Sequence, residues 1–76
     1  MTNQIPNILG DQLKNAREKA GLTIEALAKK ASLSNKQLEE IENGGDRLFY
    51  TAAIKLTVAK KIGKMLGLNE DDFLEG

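Results

Sequence analysis

The chain has 76 residues, with 11 Lys plus Arg against 11 Asp plus Glu, so its formal net charge is zero; at this length it forms one domain that buries only roughly 60% of its unfolded surface. It contains no cysteine and no histidine, which excludes disulfides, thiolate or imidazole metal sites and the usual nucleophile–base pairs, so no catalysis, metal or cofactor is expected. Stand-alone nucleic-acid binders are usually basic, and the balanced charge argues against tight non-specific DNA binding by a monomer unless charge is segregated onto faces.

Residues 1–7 read as a polar leader and residues 8–76 as one domain. The start lacks a basic region followed by a long apolar run, and no stretch approaches the ~20 apolar residues of a membrane span, so the chain reads as soluble and cytoplasmic. From Ile8 onward, Leu9, Leu13, Ala16 and Ala20 recur at helical spacing and define helix one, with Asn7 as its N-cap and Gly21 as the residue that ends it. Thr23 caps helix two, where Glu25 suits the first turn and Ile24, Leu27, Ala28 and Ala31 form the inward stripe. Lys29 and Lys30 point outward. Ser32 and Leu33 make the turn, with Leu33 plugging the angle between helices.

Ser34 opens helix three as S-x-x-Q, placing Gln37 where its side chain reaches back to the cap nitrogen. Leu38 and Ile41 are the two inward anchors, and Asn43-Gly44 ends the helix. Most of its circumference therefore faces water, which is how a reading helix is held. After a turn at Gly44 to Asp46 and a lead-in from Arg47 to Tyr50, the longest helical pattern covers Thr51 to Leu66. Its apolar residues, Ile54, Val58, Ile62, Met65 and Leu66 continued by Ala52, Leu56, Ala59 and Gly63, span roughly 200° of the wheel. A core of this size needs about half of that. Ala52, Leu56, Ala59 and Gly63 are accordingly a candidate dimer or partner face, the alternative being that helix five and the leader cover them. Lys60, Lys61 and Lys64 crowd the other side, Gly67 ends the helix, and Asn69 caps a final turn from Glu70 to Leu74 that returns Phe73 and Leu74 to the core.

The run RxxxGLTxxxLAxxxxLSxxxLxxIENG, Arg17 to Gly44, resembles the lambda repressor-like helix-turn-helix family of Cro/CI or XRE type, and the likeness extends over about Leu9 to Leu74. It implies an all-α, five-helix fold and, as function, sequence-specific DNA binding in transcription by a homodimer reading double-stranded DNA in the major groove. It also implies an architectural pair between Arg17 and Glu42. The candidate DNA-contacting residues are Thr23, Ser34, Asn35, Lys36, Gln37, Glu40 and Arg47. Asparagine and glutamine can pair with adenine, and lysine with guanine or phosphate; for Gln37 the capping box competes with base reading. Lys14, Lys19, Lys29 and Lys30 are further candidates for phosphate contact, each adding to the salt dependence of binding.

Ile24 stands where repressors often carry a glutamine that grips phosphate, and Glu39 and Glu40 face the side that DNA would approach. The long helix before LGLNEDDFL, and SLS at the turn in place of the usual glycine, resemble the cytoplasmic domain of RodZ-like proteins. That second resemblance implies an actin-like protein partner and a membrane span further along the gene product.

Overall fold

The computed structural model describes residues 5–75, and positions 1–4 of the expected leader lie outside them. The described residues fold as α1 (Gly10–Lys19), α2 (Ile24–Ala31), α3 (Asn35–Asn43), α4 (Ala52–Met65) and α5 (Glu70–Phe73), closed by two short strands, β1 (Asn7–Ile8) and β2 (Leu74–Glu75). The fold is a small all-α domain of five helices, as the periodicity predicts.

The two ends of the domain correct the sequence reading. Asn7 does not cap helix one, which begins after Leu9; Leu74 does close the last helix, its amide donating to the Glu70 carbonyl, and from there the chain turns into a strand. The strands pair antiparallel, Asn7 opposite Glu75 and Ile8 opposite Leu74. The Leu9 amide donates to the Phe73 carbonyl at 2.8 Å. Helical spacing from Ile8 is real, but at Asn7 and Ile8 backbone partners 68 and 66 positions away stand beside these peptide groups instead. Helix α1 thus starts at Gly10, for a steric reason. A Cβ built there falls 2.1 Å from the Glu42 carbonyl oxygen and 2.7 Å from that of Ile41. The start of α1 presses directly on the backbone at the end of α3, and only glycine leaves room.

Leu13, Leu27, Ala28, Ala31, Leu38, Ile41, Ala59, Ile62 and Phe73 form the buried core. Each helix contributes, and the expected stripes of α1, α2 and α3 supply most of it. Ala20, expected on the α1 stripe, is exposed. On α4 only Ala59, Ile62 and Gly63 are buried, while Val58 and Leu66 are half-buried and Ile54 and Met65 remain exposed at 45% and 40%. Ala59 and Ile62 join the common core, and Phe73 accounts for Gly63. A Cβ on Gly63 would lie 2.2 Å from the Phe73 ring, so the ring lies flush against the α4 backbone there. Ala59 and Gly63 are therefore covered by the chain itself and form no free dimer or partner face. Of the other two residues assigned to that face, Ala52 is exposed and Leu56 half-buried.

Among the described residues, one charged pair lies inside. Arg17 and Glu42 are 7% and 4% exposed, and the Arg17 Nε donates to Glu42 Oε2 at 2.7 Å while Nη2 donates to Oε1 at 3.1 Å. Nη1 donates to the Leu22 carbonyl at 2.9 Å, so the guanidinium ties α1, the α1–α2 turn and the end of α3. Bonding to Glu42 holds the Arg17 guanidinium above its ordinary pKa, against the opposing effect of burial. The pair is the architectural one that the repressor resemblance implies.

Candidate nucleic-acid interface

Helix α2 begins where Thr23 Oγ1 accepts from the Ala26 amide at 3.0 Å. Its end is held from α4, since Lys61 Nζ donates to the Ala31 carbonyl at 3.0 Å, placing a cation at a helix C-terminus. The helical pattern puts Lys61 with Lys60 and Lys64 on the side of α4 away from its apolar arc, and nothing in it marks a partner 30 residues away. Ser32 then enters the left-handed region at φ 60°, a conformation that costs a non-glycine residue about 1–2 kcal/mol. This residue stands where the family pattern usually has glycine. The Leu33 amide donates to the Ala28 carbonyl at 2.8 Å, and its half-buried side chain packs on the core, closing the angle between α2 and α3.

Helix α3 opens with a complete capping box. Ser34 Oγ accepts from the Gln37 amide at 3.0 Å, and Gln37 Oε1 accepts from the Ser34 amide at 3.0 Å. Leu38, Ile41 and Glu42 face inward. Asn35, Lys36, Glu39 and Asn43 are exposed, and at ~100° per residue they fall within about a 100° arc. This stripe is what α3 offers to a partner. The sequence marks Asn43 only as the helix end and Glu39 as a carboxylate on the side that DNA would approach; the wheel from Asn35 puts both on one stripe.

Gln37 and Glu40 are differently placed. Both are half-buried, and both bond to the segment that follows the helix. Gln37 Nε2 donates to the Leu48 carbonyl at 3.3 Å, and the Leu48 amide donates to Glu40 Oε1 at 3.0 Å. Residues three apart on a helix share a side, so the two side chains grip both polar groups of one peptide residue. Gly45 passes close over Glu40, at φ 127° and with room for a Cβ only 2.8 Å from Glu40 Cγ. Lys55, on α4, donates to the Gly45 carbonyl and lies 3.9 Å from Asp46. The segment between α3 and α4 is thus fastened at both flanks, and it holds Arg47 exposed beside α3.

Lys14, Lys19, Lys29 and Lys30 are exposed around the motif, and Thr23 and Ser34, whose hydroxyls are used as caps, are exposed residues too. Charge on the outward side of α3 is mixed, Lys36 beside Glu39, with the Glu40 carboxylate turned to the Leu48 amide. Leu48, Tyr50 and Ile54 are exposed at 43%, 97% and 45% just beyond this surface.

Two helices joined through a left-handed turn, the second one doubly capped and open to solvent on one side, make a helix-turn-helix. A family model described as a helix-turn-helix domain matches residues 8–74. The chain belongs to that family. The match is consistent with the lambda repressor-like resemblance, and a helix-turn-helix domain points to DNA as the partner. No curated protein matches the chain. Among the described residues no helix is long and apolar enough to cross a membrane.

Proposed function

We propose that this helix-turn-helix domain binds double-stranded DNA sequence-specifically and regulates transcription. The observation that supports this most is the presentation of α3: doubly capped, held by Leu38 and Ile41, and exposing Asn35 and Lys36 in its first turn. Recognition helices meet base edges with their N-terminal residues. Asn35 has the chemistry to read adenine and Lys36 to read guanine or phosphate, while Lys29, Lys30 and Arg47 flank the helix with cations for the backbone. A homodimer would place two such helices one turn of DNA apart. With Ala59 and Gly63 covered, pairing of two copies falls on the exposed apolar positions of α4, Ile54 and Met65.

Fluorescence anisotropy against random and genomic duplexes at low salt tests this reading. The expected result is saturable binding that weakens with salt and with Lys36→Ala. Absence of binding, or binding indifferent to Asn35→Ala and Lys36→Ala, overturns it. Light scattering of the free and DNA-bound protein reads the dimer.

The mixed charge on α3 and the exposed Leu48, Tyr50 and Ile54 favour one second reading, a RodZ-like module that docks an actin-like cytoskeletal protein. Tyr50→Ala should abolish capture of such a filament and leave DNA affinity in place; failure of the intact domain to sediment with the filament removes that reading.

A further inference from the structure

We infer that Gln37 and Glu40 act in recognition as positioning residues: they clamp the Leu48 backbone, hold the Gly45–Leu48 segment along α3, and leave base reading to Asn35, Lys36, Glu39 and Asn43. The inference rests on the DNA-binding reading and divides its surface into two parts. Gln37 is committed at both ends of its amide, Oε1 to the Ser34 amide at 3.0 Å and Nε2 to the Leu48 carbonyl at 3.3 Å. Glu40 is committed through Oε1 to the Leu48 amide at 3.0 Å, and its stem lies under Gly45. On the wheel these two sit on the flank between the buried side and the exposed stripe. The clamped segment covers that flank.

The clamp fixes the backbone next to an exposed cation. Arg47 is exposed and adjoins the gripped Leu48, while the preceding Asp46 and Gly45 are held from the other side by Lys55. Helix α3 therefore supports a second contact element built from the backbone that follows it. A side chain that carries this support cannot reach a base edge without releasing the segment. The carboxylate of Glu40, otherwise repulsive to phosphate, is directed toward a peptide N–H.

Three variants of the whole chain separate positioning from reading: Glu40→Gln, Glu40→Ala and Arg47→Ala. Both changes at position 40 remove the charge, but only glutamine keeps an acceptor for the Leu48 amide, so comparison of the two isolates the clamp. Selection from a random duplex library should return one base preference for wild type, Glu40→Gln and Glu40→Ala. Affinity of Glu40→Ala should fall below that of Glu40→Gln by a uniform factor of about two to twelve, the equivalent of one net hydrogen bond. The salt slope should drop by about one, as for loss of one phosphate contact. Arg47→Ala should reproduce that drop, and adding Glu40→Ala to it should change the slope no further. Amide exchange of Leu48, measured without DNA, should quicken in Glu40→Ala and stay slow in Glu40→Gln.

Loss of about five-fold or more discrimination at a single base pair in both position-40 variants, the mark of a direct contact, overturns the inference by making Glu40 a reader. Unchanged Leu48 exchange in Glu40→Ala overturns the clamp itself while leaving the DNA-binding reading intact. A wild-type chain that binds no duplex overturns the DNA-binding reading, and with it the recognition role, even where Leu48 exchange still shows the clamp to be formed.

Discussion

Replacing Glu42 with alanine tests how this small core tolerates an internal charge. In the native state the Glu42 carboxylate accepts from Arg17 Nε at 2.7 Å and from Nη2 at 3.1 Å, with the two residues 4% and 7% exposed. Glu42→Ala leaves a guanidinium out of water with the Leu22 carbonyl at 2.9 Å and the exposed Glu18 carboxylate at 4.0 Å as its remaining partners. Removing one member of a buried pair costs about 3–5 kcal/mol. A domain of this length has about 4–11 kcal/mol of stability in all. At a urea slope of about 1 kcal/mol/M, the midpoint measured by far-ultraviolet circular dichroism should therefore fall by about 3–5 M, leaving the variant partly unfolded even without denaturant if the native stability lies at the low end.

The double variant Arg17→Met, Glu42→Leu removes both charges and should recover most of that loss, short of about 1 kcal/mol for the Leu22 carbonyl left without its donor. A Glu42→Ala protein within about 1 kcal/mol of wild type would show the pair to behave as an exposed one. A double variant no more stable than Glu42→Ala would refute the argument from desolvation. Because the folded Arg17 pKa is raised, the arginine's contribution is fully present below its ordinary value and is lost only as pH rises through the raised one. The arginine side of the pair thus introduces no change of stability across the neutral range.

Gly10→Ala places a Cβ 2.1 Å from a backbone oxygen, whereas Gly63→Ala places one 2.2 Å from a ring that can tilt; thermal melts should show Gly10→Ala at or beyond the upper end of the ~1–3 kcal/mol cost of overpacking, and Gly63→Ala below it. Equal and negligible shifts would mean that α1 and α3 separate freely. Ser32→Gly relieves the left-handed φ of 60° and should stabilise by about 0.5–1 kcal/mol after the larger unfolded-state entropy of glycine is counted, a gain that chemical denaturation reads directly; a loss would show that the Ser32 side chain holds the turn. Ser34→Ala removes the acceptor for the Gln37 amide and should cost about 1 kcal/mol, with faster exchange of that amide by nuclear magnetic resonance, and unaltered exchange would place the cap in solvent rather than on α3.

Local rules made much of this domain legible. Thr23 and Ser34 cap the helices that follow them, because a short hydroxyl side chain before an apolar run answers orphan amides within the same turn. The capping box at Gln37 was written in the S-x-x-Q spacing, although spacing left open whether the glutamine would read a base. Leu27, Ala28, Leu38 and Ile41 are buried where helical period puts them. Period failed on α4, whose apolar arc exceeds what neighbours can cover: packing buries Ala59 and, under the Phe73 ring, Gly63, and leaves Ile54 and Met65 exposed. It failed also at Asn7, where strand pairing stands in place of the expected helix cap.

The sequence by itself determined the helices, their caps and the inward stripes of the motif, since each depends on groups within a turn or two of one another. Tertiary structure alone decided what long-range partners consume: Gly10 by the end of α3, Lys61 by the Ala31 carbonyl, Gln37 and Glu40 by the Leu48 peptide. A polar side chain has the same chemistry whether it faces a base or a backbone amide. Only the folded path of the segment after α3 determines which of the two it meets, and so which residues of the helix remain to read DNA.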